Sequence, residues 1–330
     1  MTQQEFLQDL ETFLEEWQNN EPTVWVHTSG STGIPKPLQV EKGRMMASAR
    51  LTCQFLGLKE GDTALLCMPL QYIAGKMVVV RSLIAGLKLI PVAPCGHPLK
   101  ELKEAPTFAA MIPMQVYNSL QVPQEKHILR QIKHLIIGGG AIDTTLANEL
   151  KDFPNPVWST YGMTETLSHI ALRRLNGQEA SEWYTPFDSV RIRLSDEGTL
   201  MIHAPNVCSE ELTTNDIAEI NEEGKFRILG RKDNTINSGG VKIQIEQVET
   251  LLREHLSIPV QITAAPDAKF GEIVVILYNK VEDEKEIKAV CEEKLPPYWQ
   301  PKRYIPVEEL PLTGTGKPDR ATARRMARGE

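Results

Sequence analysis

Between about residues 40 and 160, short apolar runs alternate with helical stretches, the runs falling at 64–68, 87–92, 108–112 and 134–137. Such alternation predicts a parallel α/β sheet, because parallel neighbours need a crossover and a helix supplies it. From about residue 186 the pattern becomes extended runs between turn residues, at 190–194, 199–202 and 226–229, which predicts a smaller antiparallel or mixed sheet. Beyond it, 243–255 reads as a helix, 260–264 and 273–278 as strands, and 283–294 as a charged helix with a solvated face. The expected fold is therefore α/β. A large N-terminal domain over residues 1–231 combines the parallel sheet with the smaller one, and a small, mobile α+β domain follows over 232–330.

At the front, Thr2-x-x-Glu5 forms a capping box, and Phe6, Leu10, Phe13 and Trp17 follow at helical spacing until Pro22 stops the pattern. This predicts a helix that docks on a core. The 330 residues carry a net charge of −7, which gives no overall attraction to phosphate backbones or anionic lipid, so nucleic acid is not an expected partner. Cys53, Cys67, Cys95, Cys208 and Cys291 are odd in number, widely spread and never arranged as CxxC. Reduced thiols in a cytoplasmic compartment are expected, without a disulfide framework or a zinc knuckle. Glu5, Asp9, Glu11, Glu15 and Glu16 precede any Lys or Arg, the opposite of a secretory leader. The longest apolar stretch, 77–94, is broken by Arg81, Ser82 and Lys88, so no membrane span is expected.

Chemistry concentrates in three places. Thr28, Ser29, Gly30, Ser31, Thr32 and Gly33, followed by Lys36, pack backbone-exposing glycines, hydroxyl donors and one cation into nine positions. Such a string wraps phosphate through converging N–H groups, although its spacing is not that of a Walker A loop and a surface turn is the plain alternative. Tyr161-Gly162-Met163-Thr164-Glu165 joins an aromatic face, a hydroxyl and a carboxylate, suited to stacking a base, touching a phosphate and holding Mg²⁺ through oxygen. Gly138-Gly139-Gly140 follows an apolar strand and lets a flat ligand approach the backbone, with a simple strand-to-helix turn as the alternative.

Three further strings complete an ordered set: Thr214-Asn215-Asp216; Gly230-Arg231-Lys232-Asp233 running through Ser238-Gly239-Gly240 to Glu246; and Pro311-Leu312-Thr313-Gly314-Thr315-Gly316-Lys317. On these motifs the chain resembles the adenylate-forming superfamily of acyl-CoA synthetases, peptide-synthetase adenylation domains and luciferases, from about residue 23 to about residue 320. The strings YGMTETLSHIALR and INSGGVKIQIEQVE are most similar to the o-succinylbenzoate–CoA ligases of menaquinone biosynthesis. The phosphate loop begins at residue 28, so the likeness is to a short form without the usual N-terminal portion, and the docking helix is the spare element that could cover exposed core. The resemblance implies ATP, Mg²⁺ and coenzyme A, with an aromatic dicarboxylate as the acid. It makes Thr28 to Gly33 and Lys36 the triphosphate loop, Gly138, Gly139, Gly140 and Tyr161 the adenine walls, and Thr164 and Glu165 the α-phosphate and Mg²⁺ contacts. Asp216, assisted by Arg231, would hold the ribose, and Asp233 would be the hinge. Gly239 and Gly240 would line the thiol approach, and Lys317 would be the catalytic lysine of the first step.

The chain departs from that pattern at Asn215, where relatives have Gly; Asn tolerates positive φ, so a turn is expected to survive there. Gln71-Tyr72 stands where many relatives have Phe-His, which makes Tyr72 the aromatic gate of the acyl pocket. Arg81 lies within the apolar run 77–85, where a charge is costly unless paired or solvated. A guanidinium there suits the second carboxylate of a dicarboxylate, and internal pairing is the alternative. Ser168 and His169 are candidate pocket residues, with a structural histidine as the alternative. Other readings that the motifs leave open are a different aryl- or acyl-CoA ligase, a carrier-protein-loading enzyme and a non-catalytic nucleotide-binding protein. Self-association is also left open.

Overall fold

The computed structural model describes residues 1–27, 37–140, 142, 144–280, 283–313 and 318–330. The chain divides into two compact units: Met1–Ile192 with Ile202–Leu212 and Asn221–Phe226, and Arg193–Met201 with Thr213–Ile220 and Arg227–Glu330.

The first unit opens with α1 (Gln3–Gln18), whose Thr2–Glu5 capping box forms as its sequence predicts and whose Phe6, Leu10 and Phe13 are buried. Strands β1 (Thr23–His27) and β2 (Pro37–Glu41) pair antiparallel on either side of residues 28–36. Helix α2 (Lys42–Leu56) leads to β3 (Thr63–Leu66), α3 (Ile73–Ala85), β4 (Lys88–Pro91), β5 (Phe108–Met111), α4 (Pro113–Gln121), α5 (Pro123–Gln131), β6 (His134–Ile137), α6 (Thr144–Leu150) and β7 (Val157–Gly162). Strands β8 (His169–Arg174) and β9 (Thr185–Pro186) complete a sheet of order β4-β3-β5-β6-β7-β8-β9. The first five strands of that order are parallel, as the alternation predicts. The near-continuous apolar runs of β3, β5 and β6 are buried on both faces: Leu65, Met111, Leu135 and Ile137 form one core with Val116, Leu129 and Leu150 of the covering helices.

The sheet is mixed rather than purely parallel, because β7, β8 and β9 run antiparallel. The reversal follows Tyr161, where a bulge shifts the register between Tyr161 and Gly162. Helix α1 is tied down at both ends. Near its start the Gln3 amide donates to Pro91 O (3.0 Å) and accepts from Ala93 N (2.8 Å), satisfying the edge of β4. Near its end Glu16 accepts from Trp25 N of β1 (2.9 Å) and from Lys76 Nζ of α3 (2.9 Å), and Lys76 also donates to Trp25 O (2.7 Å) over the Phe13 ring.

A four-stranded sheet follows in the order β10 (Arg191–Leu194), β11 (Thr199–His203), β12 (Leu212–Ile220), β13 (Phe226–Arg231). The second unit is built on β14 (Thr235–Ser238), β15 (Val241–Gln244), β16 (Val260–Asp267), β17 (Gly271–Tyr278) and β18 (Arg303–Pro306), in the order β15-β14-β17-β16 with β18 parallel to β17. Helices α7 (Ile245–Arg253) and α8 (Glu284–Lys294) cover one face, and α9 (Arg320–Arg328) lays Ala323 and Ala327 on the other. The helix expected from residue 243 begins at Ile245, because Ile243 pairs with Ile236 in the β14–β15 hairpin. No helix among the described residues is long and apolar enough to cross a membrane.

Candidate functional site

In the first unit the carboxyl ends of the parallel strands deliver the candidate residues, the usual place for a ligand on such a sheet. Gly138, Gly139 and Gly140 leave β6 for distinct reasons. A Cβ on Gly138 would strike Thr160 Oγ1 of the neighbouring strand, Gly139 has φ +77°, and Gly140 meets only the Pro113 ring. Tyr161 stands at the adjacent strand end, its ring 5.0 Å from that of Phe226 in edge-to-face contact and 5.9 Å from that of Tyr184. Tyr184 stacks on Phe226 and shares a 2.9 Å hydrogen bond with Ser159 Oγ, so the aromatic wall has a backing that no motif announced.

Gly162 is required by packing, since a Cβ there would strike Ser168 O and the Cα of His169. Thr164 and Glu165 lie in a single 3₁₀ turn, Thr164–Thr166. Thr166, which the sequence did not single out, closes that turn by accepting from Met163 N (3.0 Å) and donating to Ser168 O (2.8 Å). Leu167 then takes φ +65° while buried, the one non-glycine among the described residues with positive φ. The Glu165 carboxylate is exposed and makes no hydrogen bond or ion pair among the described residues; an oxygen donor of that kind fits a hard divalent cation.

The same turn brings Ser168 and His169 against α3. Arg81, only 2% exposed, donates from Nη2 to Ser168 Oγ at 2.5 Å. Its Nε is buried without a partner, and it makes no ion pair among the described residues. Burial pushes the guanidinium down to about 10, with Cys53 opposing. His169 is held well below the ordinary imidazole range by its burial and by Arg81. Arg81 and the adjacent pair Ser168 and His169, candidates from two distant parts of the sequence, thus form one cluster. Tyr72 does not join it: nine residues earlier on α3, about 14 Å along the axis, it caps that helix and bridges to His27 of β1.

In the second unit Asp216 lies within β12, so Thr214-Asn215-Asp216 is extended strand and not the turn expected of it; Asn215 needs no positive φ. Arg231 grips Asp233 through two 3.0 Å bonds, from Nε and Nη2, and reaches Asp216 Oδ1 from Nη1 at 3.3 Å. The hydrogen bonds that it donates to Asp233 raise the Arg231 guanidinium above its ordinary value. Asp233 sits in the short turn Lys232–Asn234, and its carbonyl accepts from Arg324 of α9 (3.3 Å). Gly239 (φ +58°) and Gly240 (φ +84°) are the two turn residues of the β14–β15 hairpin, a geometry that itself demands glycine. Thr28, Ser29, Gly30, Ser31, Thr32, Gly33 and Lys36 lie outside the described residues, as does Lys317. Around the last of these, Leu312 bridges to Pro318 and Asp319 caps α9.

The sequence model of the family described as AMP-binding enzyme matches residues 2–209, and that of the AMP-binding enzyme C-terminal domain matches 247–317. A curated 2-succinylbenzoate–CoA ligase of Bacillus mycoides is 27% identical, over 94% of this chain and 72% of its own length. Among solved structures, an acyl-CoA synthetase (AMP-forming)/AMP-acid ligase II-like protein from Dyadobacter fermentans is 32% identical with a TM-score of 0.67, over 96% of this chain and 93% of that one. The o-succinylbenzoate CoA synthetase of Bacillus subtilis, solved with the acyl-adenylate intermediate OSB-AMP, shares the fold at 24% identity and a TM-score of 0.75, over 91% of this chain and 68% of that one.

Proposed function

The chain belongs to the AMP-binding enzyme family of adenylate-forming ligases, and on that premise we propose that it adenylates o-succinylbenzoate with ATP and passes the acyl group to coenzyme A, a step of menaquinone biosynthesis. The observation that carries the substrate is Arg81, a buried guanidinium with a hydroxyl partner, an orphan Nε and no carboxylate among the described residues. An uncompensated charge in an interior costs several kcal/mol, and an anionic ligand removes that cost. o-Succinylbenzoate carries two carboxylates: adenylation consumes one and leaves the other for the guanidinium. The names of the Bacillus mycoides and Bacillus subtilis proteins support the same acid.

In this reading the acid's carboxylate attacks the α-phosphorus of ATP and the bond to pyrophosphate breaks. The thiol of coenzyme A then attacks the acyl carbon and AMP leaves. Thr28 to Gly33 and Lys36 hold the triphosphate, Gly138 to Gly140 and Tyr161 the adenine, Asp216 with Arg231 the ribose, and Thr164 the α-phosphate. Tyr72 gates the acyl pocket beside the end of β1. Lys317 orients the reacting oxygens of the first step by charge. Asp233 is the hinge about which residues 232–330 rotate, withdrawing Lys317 and bringing Gly239 and Gly240 to the thiol path. Glu165 would hold magnesium, which would supply positive charge opposite the leaving pyrophosphate. ATP–pyrophosphate exchange with a panel of carboxylic acids tests the reading: exchange supported by o-succinylbenzoate above simple benzoates and fatty acids is expected, and a preference for a monocarboxylate would replace the substrate.

A further inference from the structure

Four hydrogen bonds run in line through the interior behind Arg81. Arg81 Nη2 donates to Ser168 Oγ at 2.5 Å, and Ser168 Oγ lies 3.3 Å from His169 Nδ1. His169 Nε2 lies 3.0 Å from Thr52 Oγ1, and Thr52 Oγ1 donates to Ser48 O, one turn back on α2, at 3.3 Å. Ser48, Thr52 and His169 are all buried, so each bond left unmade is expensive.

A hydroxyl has one hydrogen. Thr52 gives its hydrogen to Ser48 O and can therefore only accept from His169 Nε2. A neutral ring protonated at Nε2 offers a lone pair at Nδ1, which takes the Ser168 hydrogen. Ser168 then has only lone pairs left for Arg81, and every hydrogen in the line has an acceptor. The reverse direction would leave the Ser168 hydrogen without one among the described residues. A second proton on the ring would set a second cation beside Arg81. Also packed here are Cys53 of α2, whose thiol burial pushes up and whose Sγ lies 3.9 Å from Arg81 O, and the Phe187 ring, 5.7 Å from the imidazole. Neither supplies a compensating negative charge.

We propose that Thr52 is a positioning residue of the Arg81 subsite: it holds His169 as the neutral ring protonated at Nε2, so that Ser168 orients the guanidinium toward an anionic group of the acid. The inference rests on the reading of Arg81 given above. Thr52 does not touch the acid in this scheme; its influence passes through His169 and Ser168.

Long-range ¹⁵N NMR reads the ring state directly, with the His169 signals identified by their absence in His169→Gln. The wild-type ring is expected neutral and protonated at Nε2 from about pH 6 to 8. In Thr52→Val, which keeps the volume and removes the hydroxyl, the ring moves to the Nδ1–H form. The KM for the acid then rises about three- to thirty-fold, the loss of one buried hydrogen bond, while the KM for ATP stays within about twofold; Thr52→Ser restores both ring state and KM. A wild-type ring protonated at Nδ1, or doubly protonated, overturns the proposal, and so does a changed ring state in Thr52→Val with an unchanged acid KM. Should Thr52→Val fail to fold, the wild-type ring state and Thr52→Ser still decide: an altered KM with an unaltered ring state contradicts the mechanism. The acid is o-succinylbenzoate or whichever one the exchange panel selects, so failure of the substrate reading appears in the panel and failure of this inference in the ring.

Discussion

Arg81 and Arg231 put the same side chain to opposite uses. Arg81 is interior, held by one hydroxyl and faced by no carboxylate among the described residues. Arg231 has a side chain 36% exposed and grips two carboxylates, Asp233 by a fork and Asp216 by a single bond. Burial lowers the first guanidinium; hydrogen bonds donated to Asp233 raise the second. Where water screens charge, ion pairs add little stability, so the reason for the Arg231 cluster is geometric. Where water is excluded, a cation without an anion is a cost the fold carries, and a ligand is the natural reason for carrying it.

The contrast breaks most severely if a second buried cation loses its anion. Lys76 shares α3 with Arg81, its side chain is 9% exposed, and Glu16 of α1 is its carboxylate. Deleting residues 1–20 leaves Lys76 in the state of Arg81 and uncovers the surface under Phe6, Leu10 and Phe13. Each large side chain is worth about 1.5–3 kcal/mol, less the entropy of ordering the helix, so urea denaturation should show a loss of several kcal/mol. An unchanged midpoint would mean that α1 contributes no stability. Arg81→Leu is the next largest effect and has the opposite sign on stability. It should raise the KM for o-succinylbenzoate roughly ten- to a hundred-fold, from loss of a charge-assisted bond of about 1.5–3 kcal/mol. The melting temperature should hold or rise, because hydrocarbon replaces an unpaired buried charge. A lower melting temperature with an unaltered KM would make Arg81 a structural cation.

The two regions also differ in how far the sequence made them legible. Apolar runs locate β3 to β6 within two residues, because β3, β5 and β6 are buried on both faces and leave a continuous hydrophobic signal, and the half-buried edge strand β4 keeps Leu89 and Ile90. Arg81 stood out for the same reason, as a charge inside such a run. The antiparallel return of β8 was hidden, since the turn that makes it rests on Gly162, Thr166 and the positive φ of Leu167, none of which reads as a hairpin signal. Thr52 was invisible: it meets His169 across 117 positions, and one threonine in a helix has no pattern. In the second region Arg231 and Asp233 stand in a recognisable motif, whereas the polar Thr214-Asn215-Asp216 string looks like a turn although β12 runs straight through it.

The first region should also leave a mark on stability against pH. Burial and Arg81 depress His169 in the folded chain, so below the ordinary imidazole range the unfolded chain binds a proton that the folded one refuses. The stabilising contribution is therefore whole above about pH 6.5 and is lost as the pH falls from there toward the folded value. The slope is at most about 1.4 kcal/mol per pH unit. His169→Gln should flatten the wild-type curve between about pH 5 and 6.5 and leave it parallel above. If both proteins lose stability equally on acidification, the ring is not held neutral.

The smallest effect is expected at Arg231→Lys, and its size is the point of the experiment. A lysine keeps the charge but has no planar fork, so it cannot hold both oxygens of Asp233 and still reach Asp216. The side chains of Arg231 and Asp233 are 36% and 39% exposed, so the stability lost should fall within the roughly 0.2–1 kcal/mol of surface pairs. That loss should shrink further in high salt, which screens exposed charges and leaves the Arg81 subsite largely untouched. Function should respond differently. If the cluster exists to set the position of Asp216 beside the turn at Asp233, the KM for ATP should rise several-fold while the KM for the acid stays constant, the mirror image of Arg81→Leu. A stability loss as large as that of the helix deletion would show the cluster to be a structural pairing after all, and the opposition between the two arginines would fail.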